Sequence, residues 1–349
     1  MSTSTSSPQI PLGSLDAAVP PAARGSMADL HAHRTALTGH CYRMLGSLSE
    51  AEDAVQETML RAWRGLAGFD GRASLRTWLQ RIATHVCLDA LQDRKRRSRP
   101  MLVHSAFDIT DELTALPASH WVEPIPDSLA IPSDSDASER IALRQSLRLA
   151  FVAALQHLPP RQRAALLLSD VLDLSAAEIA DALQLSIAAV NSALQRARAT
   201  LERCGVKPPP AQPLSTEQAQ RVEHYLAAFE RYDMDALAQL LHEDVTLSMP
   251  PYTLWLRGKA AVRAWMLGRG IGCLGSRLLK VAACGSPAFA QYRRSETGPG
   301  FTAWSLIVLE QDPQDAVITA MNHFLDTAVL FPRFGLPLSL PPDGVPPSR

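Results

Sequence analysis

From residue 49 onward, apolar residues recur with the 3.6-residue period of amphipathic helices. Val55, Met59, Ala62 and Leu66 are spaced four, three and four apart, and Ser49-Glu50-Ala51-Glu52 ahead of them has the form of a capping box. A Gly-containing segment, residues 68–74, separates this helix from a second one expected over residues 75–97, with Leu75, Leu79, Ile82 and Val86 facing inward. A third helix starts at Leu158-Pro159-Pro160 and runs to Val171. Ser175-Ala176-Ala177-Glu178 then caps a short helix ending at Leu183. After the tight turn Gln184-Leu185-Ser186, a longer helix spans residues 187–203 and buries Val190, Leu194, Ala197 and Leu201. Two helices joined by so short a turn form either a helix-turn-helix or an ordinary helical hairpin.

Composition divides the 349 residues into segments. Residues 1–26 are rich in Ser, Pro and Ala and read as disordered. Residues 27–99 carry 12 Lys/Arg and 8 Asp/Glu. Residues 100–137 carry 7 Asp/Glu, no Lys/Arg and five prolines, an acidic linker. Residues 138–207 carry 9 Lys/Arg and 6 Asp/Glu. A Pro-rich joint (208–213), a mixed domain (214–332) and a Pro-rich tail (333–349) follow. The whole-chain net charge of -1 argues against a nucleic-acid binder, but it hides two basic blocks around an acidic one. No apolar run approaches the roughly 20 residues of a transmembrane helix, and the N-terminal stretch lacks a basic start and apolar core, so no secretory signal is expected. Five scattered cysteines without a CxxC pair suit a reduced cytoplasm. His85 and Cys87 make at most a weak metal signal, so no metal or cofactor is expected.

Three faces carry candidate chemistry. Asp53, Gln56, Glu57 and Leu60 share the outer side of the first helix. Like charges one turn apart cost a helix about 0.2–0.5 kcal/mol, so the face is either simply solvated or shaped for a basic partner. The second helix carries Arg76, Thr77, Trp78, Arg81 and His85 and closes in Asp93-Arg94-Lys95-Arg96-Arg97. Trp78 is open to two readings, core or base-stacking platform. Four consecutive cations exceed what a helix C-terminus needs and suit phosphate neutralisation. In a helix-turn-helix, the last helix would offer Ser186, Ala188, Ala189, Asn191, Ser192, Gln195 and Arg196 to a major groove.

Together, Ser49-Glu50-Ala51-Glu52-Asp53-Ala54-Val55-Gln56-Glu57-Thr58-Met59-Leu60-Arg61-Ala62-Trp63 and Thr77-Trp78-Leu79-Gln80-Arg81-Ile82-Ala83 resemble the second conserved region of bacterial sigma factors of the extracytoplasmic-function (ECF) group. Leu158 to Arg163, Ser175 to Ala180 and Val190 to Arg198 resemble the fourth region. Residues 214–332 resemble the SnoaL-like (polyketide-cyclase-like) cone fused to some ECF groups: paired helices over 221–229 and 237–241, a strand over 242–250, a helix opening at 258–262, and strands over 305–310 and 316–324. Trp121-Val122-Glu123-Pro124-Ile125-Pro126-Asp127 and Phe331-Pro332-Arg333-Phe334-Gly335-Leu336-Pro337 look like signatures of the fused subgroup.

The resemblance implies a multidomain chain: two all-α sigma domains, a helical bundle and a helix-turn-helix, followed by an α+β cone. It implies core RNA polymerase, through its clamp coiled coil and flap, and promoter DNA as partners. Asp53, Gln56, Glu57 and Leu60 would dock on polymerase. Arg72, Ser74, Arg76, Trp78, Arg81, Arg94, Lys95, Arg96 and Arg97 would serve the melted minus-ten element, and Ser186, Ala188, Asn191, Ser192 and Arg196 the minus-thirty-five element. The acidic linker would run along the RNA path, and the cone would regulate in cis through contact with the sigma domains. Two other readings remain: a SnoaL-class enzyme with a vestigial DNA-binding half, and a helix-turn-helix regulator that works without polymerase. Asp233, Asp235, His242, Asp244 and His323 are the candidate acid–base groups of the cone. The three aspartates lie where helix caps are usual, and His323 alternates with Met321 and Val317 as a satisfied core histidine would.

Overall fold

The computed structural model describes residues 27–92, 97–204 and 215–346. The N-terminal extension, Arg94, Lys95, Arg96 and the Pro-rich joint therefore lie outside the described residues. The first body is a bundle of α1 (Met27–Ala32), α2 (Arg34–Leu45), α3 (Leu48–Gly65) and α4 (Leu75–Ala90). Ser47, not Ser49, caps α3 by accepting from the Glu50 amide. The Glu50 carboxylate turns to Arg97 instead of closing a capping box. Val55, Met59 and Ala62 are buried as the spacing predicts, and Leu66 packs half-buried against the same core.

α4 does not continue to Arg97; it stops at Ala90. The reason is non-local. Arg97 turns inward, 7% exposed, and donates to the Ala118 and Trp121 carbonyls while pairing with Glu50 at 3.0 Å and Glu123 at 3.5 Å. A straight helix would hold that guanidinium away from all four partners.

The chain continues through α5 (Pro100–Val103), α6 (Asp127–Ala130), α7 (Ala137–Ser146), α8 (Leu149–Gln156), α9 (Pro160–Asp170), α10 (Ala176–Leu183) and α11 (Ile187–Arg203). In α8 every residue except Ala150 is buried, and it has little amphipathic character because it is surrounded. Arg163 of α9 is buried and donates to the carbonyls of Met44 and Leu158 and to Gln156. This ties the helix-turn-helix half to α2.

The third body comprises α12 (Thr216–Arg231), α13 (Met234–Gln239), β1 (Leu241–Ser248), β2 (Trp255–Arg257), α14 (Lys259–Leu267), β3 (Arg277–Ala283), β4 (Ser286–Arg294), β5 (Phe301–Gln311), β6 (Ile318–Phe324), α15 (Thr327–Arg333) and β7 (Ser339–Leu340). The strands form one curved sheet ordered β2-β1-β6-β5-β4-β3, with β7 added beside β5. Within the segment after residue 333, Ser339–Leu340 thus joins the sheet, and the Tyr292 hydroxyl donates to the Pro337 carbonyl. Alternation along the strands divides the sheet between two cores. Phe289, Ile307 and Leu309 point into the cone beneath α12–α14. Ala288, Ala290, Leu306 and Val308 point outward and join the core of the sigma-like helices. A strand apolar on both faces requires cover on both, and the helical half supplies the second cover.

The seam is close-packed. The β3–β4 turn carries Cys284 and Gly285 into it. The Cys284 amide donates to the Ile125 carbonyl, and the Gly285 amide donates to the buried Asp127 carboxylate at 2.7 Å. Gly285 sits at φ +62, and a Cβ there would lie 2.0 Å from the Arg144 carbonyl oxygen of α7. No larger residue fits.

Two buried histidines make stability pH-dependent. Burial pushes His40 down to about 3, and burial with the nearby Arg293 charge pushes His323 down to about 4. Above pH 6.5 both are neutral, folded or unfolded. As pH falls below 6.5, the unfolded chain takes up protons that the folded chain refuses. Stability should therefore fall with pH by about 1.4 kcal/mol per pH unit per histidine down to pH 4. Urea unfolding at pH 6.0, 5.25 and 4.5 measures the slope; His323→Phe should remove about half of the histidine contribution.

Candidate polymerase and nucleic-acid interfaces

On α3 the outward face is open. Asp53 and Gln56 are exposed, Leu60 is 52% exposed and Trp63 53%. Glu57 is partly engaged, pairing with Arg61 at 2.7 Å, while Arg61 also reaches Asp89. The face therefore presents two polar groups followed by two large apolar ones. Trp63 was not among the sequence candidates, although it lies three residues beyond Leu60 on the same helical stripe. Leu60 and Trp63 lie three residues apart and form one exposed apolar patch. At the start of α3, Glu52 lies 3.7 Å from Arg333 of α15, so the cone's last helix borders this face.

The minus-ten candidates divide three ways. Arg72 extends from the loop, 90% exposed, with only Asp70 beside it. Ser74 caps α4 by accepting from the Thr77 amide, so its main task is to start the helix. Trp78 is half-buried, with its ring centroid 5.1 Å from that of Phe69. Trp78 packs on the loop and keeps an accessible edge. Arg76 and Arg81 point toward the other half of the molecule. Arg76 pairs with Glu139 of α7 at 2.8 Å, and Arg81 with Asp181 of α10 at 2.8 Å. His85 Nε2 lies 2.8 Å from the Ala182 carbonyl oxygen, and Cys87 is buried beside Cys41. Arg97, expected at the phosphate backbone, is consumed by internal partners; its charge serves the fold.

In the helix-turn-helix, Pro160 opens α9 at its first turn, where a missing amide proton costs nothing. Ser175 and Glu178 form the complete capping box of α10. Gln184 takes the left-handed conformation that ends α10, and Ser186 caps α11. Val190, Leu194, Ala197 and Leu201 are all buried. Ser186, Ala188, Asn191, Gln195 and Arg196 are exposed along one side, and Arg196 donates to Ser192 at 2.7 Å. Arg198 is held by Asp170 at 2.7 Å and braces α11 on α9. Unlike the α4 face, this one is clear.

In the cone, four acid–base candidates have other occupations. Asp233 caps α13, Asp235 pairs with Arg263, Asp244 with Arg257, and His242 Nδ1 accepts from the Asp244 amide. His323 is buried, yet its Nε2 has no hydrogen-bond partner, so it is not the satisfied core histidine that strand alternation suggested. The two signature segments pack at the seam. The Trp121 indole donates to the Pro251 carbonyl, Asp127 receives Gly285, and Phe331 meets Tyr292 edge-on at 5.2 Å. Among the described residues no helix is long and apolar enough to cross a membrane.

Comparison with known proteins follows the same three parts. The Sigma-70 region 2 family matches residues 30–97, Sigma-70 region 4 matches 148–201, and the SnoaL-like domain family matches 222–321. The ECF RNA polymerase sigma factor SigG of Mycobacterium tuberculosis is 45% identical over 318 residues, covering 88% of this chain and 83% of SigG. The ECF RNA polymerase sigma factor SigJ of the same species is 28% identical over 257 residues, covering 69% of this chain and 72% of SigJ. The crystal structure of SigJ aligns with 90% of this chain and 100% of its own, at a TM-score of 0.57 and 23% identity, which speaks for the fold alone. By this similarity along most of its length, the chain belongs to the ECF RNA polymerase sigma factors, which bind RNA polymerase and promoter DNA, and it carries a C-terminal SnoaL-like domain.

Proposed function

We propose that the free chain is a closed form of the sigma factor, in which the cone, α7 and α10 keep the minus-ten face of α4 from DNA, and that engagement with polymerase opens it. One observation carries this reading: Arg76 and Arg81, two cations assigned to DNA, are paired with Glu139 and Asp181 of the other half. Both pairs are substantially solvent-exposed, a class worth about 0–1 kcal/mol each, so a polyanion can displace them. The seam around Gly285 and Asp127 would hold α7 in place and make the cone a regulator in cis. Asp53, Gln56, Glu57, Leu60 and Trp63 would meet the polymerase clamp, and the region 4 half its flap. Arg72, Trp78 and the released Arg76 and Arg81 would meet the minus-ten element, with Arg94, Lys95 and Arg96 on the phosphates. The chain would act in the cytoplasm and catalyse nothing itself.

The open face of α11 gives a separate test. Arg196→Ala should cost about 1–3 kcal/mol per lost base contact. That corresponds to roughly 5- to 150-fold weaker discrimination at one minus-thirty-five position, measured by competition binding of holoenzyme to promoter variants. Uniform weakening across all sequences would mean that Arg196 contacts only phosphate.

A further inference from the structure

The interior of the cone contains a cavity of about 220 Å³ that none of the sigma functions uses. Leu247, Met249, Trp265 and Met266 give it apolar walls, and Leu113 closes one side. Leu113 belongs to the acidic linker, which is strapped across the cone. The Phe107 amide donates to Trp255 O, Thr253 to Thr114 O, and Leu116 to Pro251 O. Arg269 fastens the strap from below, donating to the Ile109 and Asp111 carbonyls.

Besides Arg269, which also lines the wall, Arg293 and His323 border this largely apolar chamber. Arg293 stretches across the Trp304 ring, its guanidinium carbon 3.3 Å from the ring centroid, and one nitrogen donates to Cys273 Sγ at 3.1 Å. Its Nε is buried without a hydrogen-bond partner, and it forms no salt bridge among the described residues. His323 lines the same cavity, buried, and its Nε2 is likewise without a partner. Arg293 is half-buried as a whole, but a guanidinium whose Nε is buried with no partner and no counter-charge is an uncommon arrangement, because desolvated polar groups are normally paired.

We propose that this cavity is a binding site for a small ring-bearing monocarboxylate, whose carboxylate meets Arg293 and His323 and whose ring lies among Trp265, Met266 and Trp304. Of the two cations on the wall, Arg269 is turned to the strap's carbonyls and to the Phe107 and Trp265 rings, which leaves Arg293 to meet one negative charge, and the apolar walls disfavour a doubly charged phosphate. Burial keeps His323 neutral in the physiological range, so it offers a single N–H as a hydrogen-bond donor. An apolar cavity of about 150 Å³ takes up benzene, so this one holds a ring with a carboxylate attached. Because Leu113 forms part of the wall, occupancy and the position of the strap are linked. The binding site itself stands whether or not the closed form regulates transcription.

The test uses the full-length chain, isothermal titration and tryptophan fluorescence, with benzoate, phenylacetate and cyclohexanecarboxylate as probes beside their three amides. At least one acid should saturate at a single site below about 10 mM, with its amide at least about tenfold weaker. Arg293→Gln should weaken the acid by about tenfold or more and leave the amide unchanged. Leu113→Trp should block the cavity without touching either polar group, and it serves as the second variant should Arg293→Gln not fold. No acid saturating below about 10 mM, acids and amides binding alike, or full binding in Leu113→Trp would each overturn the site.

Discussion

Asp53→Arg combined with Leu60→Glu should abolish the capture of this chain by core RNA polymerase, weakening it by about a hundredfold or more. Both positions face solvent in the free chain, so folding should be unaffected. Surface substitutions of this kind stay within about 0.5 kcal/mol of neutral for stability. At an interface the same changes reverse a charge and bury a new one at an apolar anchor, where truncations alone cost about 2 kcal/mol or more. Two such losses, if additive, would give about a thousandfold, so about a hundredfold is the lower bound. Fluorescence anisotropy with labelled chain and core enzyme measures it, with circular dichroism as the folding control. Trp63→Ala should produce part of the loss by itself. If the double variant binds polymerase normally, α3 presents some other surface to the enzyme.

The second large effect is expected from Gly285→Val. A side chain there meets the Arg144 carbonyl oxygen, and the φ of +62 is one that β-branched residues avoid. The inner cone core, built around Tyr225, Phe229, Phe289 and Ile307, lies on the other face of the sheet from the seam and should persist. The seam should not. Loss of the Gly285–Asp127 hydrogen bond and displacement of α7 would release Glu139 from Arg76. One or two kcal/mol of lost closure shifts the closed-to-open ratio by about 5- to 30-fold. The free variant should accordingly bind minus-ten single-stranded DNA about tenfold more tightly than the wild-type chain. Unchanged DNA affinity in a variant with a demonstrably loosened seam would separate the cone from any control of the α4 face.

Local signals made much of this molecule readable. The four-three-four spacing of Val190, Leu194, Ala197 and Leu201 and the Ser175–Glu178 capping box depend only on neighbours, and each took its expected place. The departures are long-range. The cationic run ending at Arg97 read as one exposed helix end, yet Arg97 is drawn inward by Glu50 and Glu123, 47 and 26 residues away. Arg76 and Arg81 kept their place on α4, but their partners lie 63 and 100 residues further on. In the cone, β3 and β4 escaped notice because their sheet faces different cores on its two sides, which blurs the polar-apolar alternation that marks a half-buried strand. The Pro-rich tail carried no strand signal, because β7 needs only two residues to join β5. Trp63 was within reach, since the stripe through Gln56 and Leu60 leads directly to it.

Closure of the α4 face in the free chain is the central claim, and an interprobe distance tests it most directly. The described cysteines are buried except Cys204, so a Cys204→Ser background carrying labels at Ala67 and Gln184, both exposed, reports the gap between the two halves. Pulsed electron resonance should give one short distance for the free chain and a clearly longer one once core polymerase and promoter DNA are added. The same long distance in the free chain, or a short distance retained in the complex, would contradict the account.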